Sequence, residues 1–159
     1  MTDKQNNALQ NITHLLNIFL EPFECTANLD TDFAYYSASN LITYTFVVAD
    51  KHEKTFADFT NTLFPQIKAN IFLWSFLHEL GHHETEDDFE DNEWEEYLNK
   101  TNFIKDDYEY YNLPIEYAAT YWAGKYMIDH KDEIKNLWDQ LMPLIQNFYK
   151  EMEIDNYEA

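Results

Sequence analysis

The stretch FLHELGHHETEDD, Phe76 to Asp88, contains His-Glu-x-x-His at His78, Glu79 and His82. In a helix, residues four apart lie one turn apart on the same face, so His78 and His82 can aim at one point. Two imidazoles fixed on one rigid turn are good ligands for Zn2+. Glu79 is rotated off that line but stays beside it, where a carboxylate can take a proton from an attacking water and later pass it to a leaving amine. This is the layout that metal-assisted hydrolysis needs, with His78 and His82 as ligands and Glu79 as general base. The bland alternative is a pair of buried, hydrogen-bonded histidines. Two histidines on the inner face of a buried helix are costly without a partner, and a metal ion supplies one.

A catalytic zinc needs a third protein ligand and an open position. The best candidate is Glu116, in LPIEYAATYWAGKY. It falls in the first turn of its helix, with Ala119, Thr120 and Ala123 on the same side. A face of small residues carrying one carboxylate permits close approach of another helix, and Gly81 inside the histidine motif is a matching small residue. Spacing alone leaves Glu116 open between a ligand and an exposed carboxylate favoured by the helix dipole. Glu84 and Glu86 are the next candidates.

HELGHH followed some thirty residues later by EYAATYWA resembles the ImmA/IrrE family of zinc metallopeptidases. That family shows His-Glu-x-x-His and then a downstream Glu-x-x-Ala-x-x-aromatic-Ala helix, which Glu116, Ala119, Trp122 and Ala123 match in register. The resemblance covers roughly residues 31–129. It implies a gluzincin-type site with His78, His82 and Glu116 as zinc ligands and Glu79 as general base. It also implies a protein substrate, such as a helix-turn-helix repressor. Ala118 stands where family members often carry a polar or acidic residue.

The elements that must position these residues follow from pattern. Thr2 and Gln5 have capping-box spacing, and Leu9, Ile12, Leu16, Phe19 and Leu20 recur at helical period up to Pro22. Ile42, Tyr44, Phe46 and Val48 alternate with Thr43, Thr45 and Val47, which reads as a strand. DFAYYSA before it reads as the hairpin partner, turning near Ser39 and Asn40. The exposed edge of the Ile42–Val48 strand is expected to hold substrate as an added strand. Helix resumes near Lys54, breaks near Pro65, and is apolar on every side between Ile71 and Leu80, so that helix is central. Asn112-Leu113-Pro114 starts another helix running to about Asp129. A last helix carries Ile134, Leu137, Trp138, Leu141, Ile145 and Phe148, with Pro143 as a kink. The expected fold is α+β and mostly helical, with a two- or three-stranded sheet packed on a zincin-like helical core. Residues 1–159 are expected to form one metallopeptidase-like domain.

Composition narrows the function classes. The net charge is -20, and all 10 basic residues are lysines. Phosphate backbones repel such a chain, so direct nucleic-acid binding is not expected. The same charge supports an alternative reading, an acidic decoy that mimics nucleic acid and sequesters a basic partner, with zinc structural or absent. The longest strongly apolar stretch, Ile71 to Leu77, is too short to span a bilayer. Cys25 is the single cysteine and the amino end is polar, so a soluble cytoplasmic protein is expected. The acidic run Glu84 to Glu96 reads as a solvated face, with Phe89, Trp94, Tyr97 and Leu98 docking its inner side, or as a collar for a basic peptide. His83 is about a quarter turn from His82 and suits a supporting role rather than a third imidazole ligand. A donor to a developing oxyanion is expected; Tyr108, Tyr110 and Tyr111, just before the Glu116 helix, and the strand tyrosines are all conceivable, so none is assigned.

Overall fold

In the computed structural model the described residues are 2–46 and 50–158. The first helix, α1 (Asp3–Leu20), opens as its sequence dictates. Thr2 Oγ1 accepts from the Gln5 amide at 3.1 Å, and Gln5 Oε1 accepts from the Thr2 amide at 2.9 Å. Ile12, Leu16 and Leu20 form its fully buried stripe. A 3-10 turn at Glu21–Phe23 leads into three short strands, β1 (Thr26–Leu29), β2 (Ala34–Tyr36) and β3 (Leu41–Tyr44).

The sheet order is β1-β3-β2. β3 pairs parallel with β1, placing Ile42 opposite Ala27, and antiparallel with β2, placing Ile42 opposite Tyr35. The expected hairpin is present. Its turn is a 3-10 segment, Ser37–Ser39, closed by Asn40 at φ 49, a left-handed conformation that asparagine tolerates. Two expectations are corrected. β3 lies between its neighbours, so it offers no free edge. It also stops at Tyr44: Phe46 turns away to stack on Phe148 at 4.6 Å and on Phe72 at 5.8 Å. Val47 and Val48 lie outside the described residues. The outer edge of β1 is occupied by Asn17, whose Oδ1 accepts from the Ala27 amide at 2.6 Å and whose Nδ2 donates to the Ala27 carbonyl at 3.3 Å. The outer edge of β2 is left.

The α-helices that follow are α2 (Asp50–Leu63), α3 (Ile71–Thr85), α4 (Asp91–Thr101), the short α5 (Asp107–Tyr111), α6 (Pro114–Asp129) and α7 (Lys131–Glu158). α3 begins where Asn70 Oδ1 accepts from the Phe72 amide at 2.8 Å. Its Phe76, Leu77 and Leu80 are completely buried, in keeping with an apolar helix at the centre. α6 starts at Pro114, which needs no amide partner in a first turn. One buried cluster draws on α1, β1, β3, α2, α3, α6 and α7. Among the described residues no helix is long and apolar enough to cross a membrane. The molecule is thus mostly helical with a small mixed sheet.

Candidate metal centre

α3 packs most closely on α6, and the contact runs through small residues. A Cβ placed on Gly81 would lie 2.9 Å from the carbonyl carbon of Ala119 and closer still to its oxygen. The two backbones therefore approach at a point that only glycine permits. Ala119, Thr120 and Ala123 are fully buried along the facing side of α6.

This approach carries Glu116, 2 % exposed, onto the histidines. Its Oε1 is 3.0 Å from His78 Nε2 and 3.0 Å from His82 Nε2. Among the described residues, His78, His82 and Glu116 form the one group of its kind, with ligand atoms all within 4.8 Å of one another. Glu116 is thus buried at the histidines and not exposed at a helix end. Of the other two candidates, Glu84 is exposed, while Glu86 accepts from the Tyr35 hydroxyl at 3.0 Å and stays outside the group.

When the Thr120 hydroxyl donates to the Glu116 carbonyl, 3.3 Å away, its lone pair can accept from His78 Nδ1–H at 2.8 Å. In that neutral tautomer His78 Nε2 is a bare lone pair facing a carboxylate oxygen. Two acceptors at that distance require a positive charge between or upon them. A proton satisfies one histidine, and a divalent ion satisfies both together with the carboxylate. The donor set, two imidazoles and one carboxylate, is that of a three-ligand zinc site with an open position. The residues fit the metal. Thr120 fixes one ring from behind, as supporting hydrogen bonds do at metal sites.

With a proton on Nε2 of each ring in place of an ion, burial alone would still raise the Glu116 carboxyl, but the hydrogen bonds from His78 and His82 then outweigh it and hold the group well below the usual carboxylate range. Burial alone would lower His82, but the Glu116 carboxylate outweighs it and raises the imidazole. Glu79 stands beside the cluster and is raised, chiefly by burial, with His78 and His82 pulling the other way.

The second oxygen of Glu116 has its own partner. Tyr97, from α4, donates to Oε2 at 2.5 Å, and the Tyr97 and Tyr110 hydroxyls are 3.3 Å apart. The sequence pattern gives Tyr97 only a docking role under the acidic segment; nothing in it signals the contact with Glu116. Trp94 docks with it, donating to the Glu86 carbonyl at 3.3 Å, whereas Leu98 is 60 % exposed and does not dock. The acidic side chains Asp91, Glu93, Glu95 and Glu96 face solvent.

A cavity of about 570 Å3 opens on the cluster, lined by His78, Glu79, Glu116, Tyr110, Tyr111 and, from β2, Ala34. Tyr110 is strongly raised and Tyr111 is pushed up to about 12, both first by burial. Tyr108 is exposed and packs its edge on Phe59 instead. His83 takes no part in the cluster. Its Nε2 lies 2.9 Å from the Phe23 carbonyl and its Nδ1 2.8 Å from the Tyr35 hydroxyl, clasping α3 to the α1 end and to β2.

The chain matches no protein-family model, no curated protein and no solved structure.

Proposed function

We propose that the chain is a zinc-dependent peptidase of the His-Glu-x-x-His type, akin to the ImmA/IrrE family, that cuts one or a few protein substrates. One observation carries the reading. Two imidazole Nε2 atoms and a buried carboxylate converge on one point, with a partly buried glutamate beside them on the wall of an open cavity. A mimic of nucleic acid has no need of that arrangement.

His78, His82 and Glu116 would hold the ion. Zinc, when bound, would polarise the scissile carbonyl and make a water more acidic. Glu79 takes the proton of the attacking water and hands it to the leaving amine; its raised proton affinity suits both steps. Tyr97 and Thr120 orient Glu116 and His78. Tyr110 and Tyr111 remain protonated at neutral pH and supply hydroxyl donors at the cavity wall for the oxyanion that develops. The outer edge of β2, ending in the cavity at Ala34, receives the substrate backbone as an added strand. The cytoplasm, where Cys25 stays reduced, fits this activity.

The test uses purified wild type, Glu79→Gln and Glu116→Ala with a basic helix-turn-helix repressor, the substrate class the family resemblance implies. Elemental analysis should find about one zinc per chain in wild type and Glu79→Gln, and weakened binding in Glu116→Ala. Mass spectrometry should find discrete repressor fragments with wild type only, because the amide that Glu79→Gln introduces cannot accept a proton. Protein that takes up no zinc on titration sinks the reading. An intact repressor bound equally by wild type and Glu79→Gln favours the acidic decoy.

A further inference from the structure

A second cavity of about 570 Å3 adjoins the first, and the two share Phe33, Thr45, Glu53, Ile71 and Ser75 as walls. Its far side is built from α7, by Trp138, Met142, Ile145 and Tyr149. The space is framed by packed rings and is not left over from loose side chains. Phe46 lies nearly parallel to Phe72, at 13°, and stacks on Phe148, while the Tyr149 hydroxyl donates to the Phe46 carbonyl at 3.0 Å. Met142 and Tyr149 are 41 % and 43 % exposed, so among the described residues apolar surface lies open at this hollow.

We propose that this second cavity binds a large apolar side chain of the substrate, near the scissile bond. The proposal rests on the peptidase reading for its occupant, and two features select that occupant. The cavity continues the cleft that holds Glu79, so a chain lying in one reaches the other. Among the described residues its lining holds no lysine and one carboxylate, Glu53, which has no ion pair with any of them, so a neighbouring basic residue of the substrate is favoured and an acidic one is not. A volume of this size accommodates an aromatic or long aliphatic side chain with room for its neighbour.

The spacing follows from α3. Ser75 and Ile71 lie roughly 6 and 12 Å from Glu79 at helical rise. An extended peptide advances about 3.3 Å per residue, which puts the apolar side chain about two to four residues from the bond that is cut.

The test uses the full chain loaded with zinc and a mixture of random-sequence peptides. Cleavage products read by mass spectrometry should show Leu, Met, Phe or Tyr enriched about fivefold or more at one such position. Met142→Glu puts a charge at the cavity wall, and Gln146→Trp fills the space from an exposed position. Both should keep zinc and melting temperature and lose the enrichment. A cut-site profile without apolar preference, or one that neither variant alters, overturns the proposal. A second arm needs no turnover: zinc-loaded Glu79→Gln, with and without each α7 change, is titrated by calorimetry with acetyl-Lys-Leu-Phe-Leu-Lys-amide. Saturable binding that both variants weaken about tenfold supports the cavity even where nothing is cut, and then the peptidase reading alone falls. Binding that is absent, or equal in the variants, overturns the cavity.

Discussion

Replacing Gly81 by alanine tests the contact that brings the histidines to Glu116. The added Cβ would stand 2.9 Å from the Ala119 carbonyl carbon. Ordinary carbon contacts lie at about 3.5–4.0 Å, so α3 and α6 must part by roughly 1 Å. Both walls are helix backbone, and no rotamer change relieves the clash. Overpacking of this kind costs about 1–3 kcal/mol. For a chain of 159 residues that is a fall in melting temperature of roughly 2–12 °C. Glu116 lies one turn before Ala119 on the same face of α6, so the shift also moves Oε1 from its 3.0 Å contacts with both histidines. Zinc affinity should therefore fall about tenfold or more. Thermal melts of zinc-free protein and competition against a chelator measure the two effects. Gly124→Ala is the control: its Cβ would meet the ring of Phe64, two turns further along α6, so it should cost stability and spare zinc. A Gly81→Ala protein with wild-type melting temperature and wild-type zinc affinity would refute the packing argument.

Two further outcomes are expected. Thr120→Val keeps the shape of a fully buried side chain but removes the acceptor for His78 Nδ1–H; zinc affinity should drop about 10–100-fold with little change in melting temperature, and unchanged affinity would reject the tautomer assigned to His78. Burial first, then the charges of Glu84 and Glu86, push the Cys25 thiol up to about 11 from 9.0. A raised thiol stays protonated, so iodoacetamide labelling at pH 8 should run about a hundredfold slower than for an unshifted thiol and speed up about tenfold per pH unit toward pH 10. Fast labelling at pH 8 would show Cys25 to be exposed.

What the sequence made legible was local. The Thr2–Gln5 box spans four residues, Pro114 fixes a helix start by itself, and the Ser37–Asn40 turn lies within one hairpin. His78 and His82 needed only helical period. Small residues at 119, 120 and 123 and Gly81 announce a close approach and made Glu116 a candidate, but its choice as ligand over exposed carboxylate came from the family resemblance. What was missed depends on distant partners. β1 is four residues, Thr-Ala-Asn-Leu, whose polar–apolar alternation is too short to announce a strand by itself, and it becomes one by parallel pairing with β3 and by the Asn17 side chain. The central place of β3 likewise follows from β1, so an edge could not be assigned from the strand's own residues. Tyr97 looked like any aromatic on an amphipathic helix; its role comes from where α4 docks, nineteen residues before Glu116.

α3 shows why one helix can organise the whole site. At about 100° per residue, Gly81, His78, His82, Ser75 and Glu79 follow one another around roughly 160° of its circumference. The Gly81 end of that arc presses on Ala119 of α6. The histidines come next and meet Glu116, which α6 delivers from the same contact. Ser75 and Glu79 come last and face the cleft. The opposite side holds Phe76, Leu77 and Leu80, all completely buried, and these fix the rotation of the helix. Turning α3 by one residue would replace Gly81 with a bulky neighbour at Ala119 and carry both imidazoles away from Glu116. The apolar side therefore sets the angle at which the polar side does its chemistry. It also orders the cleft along the helix axis, because the wall that continues past Glu79 runs through Ser75 to Ile71, toward the amino end of α3 and the aromatic frame of α7.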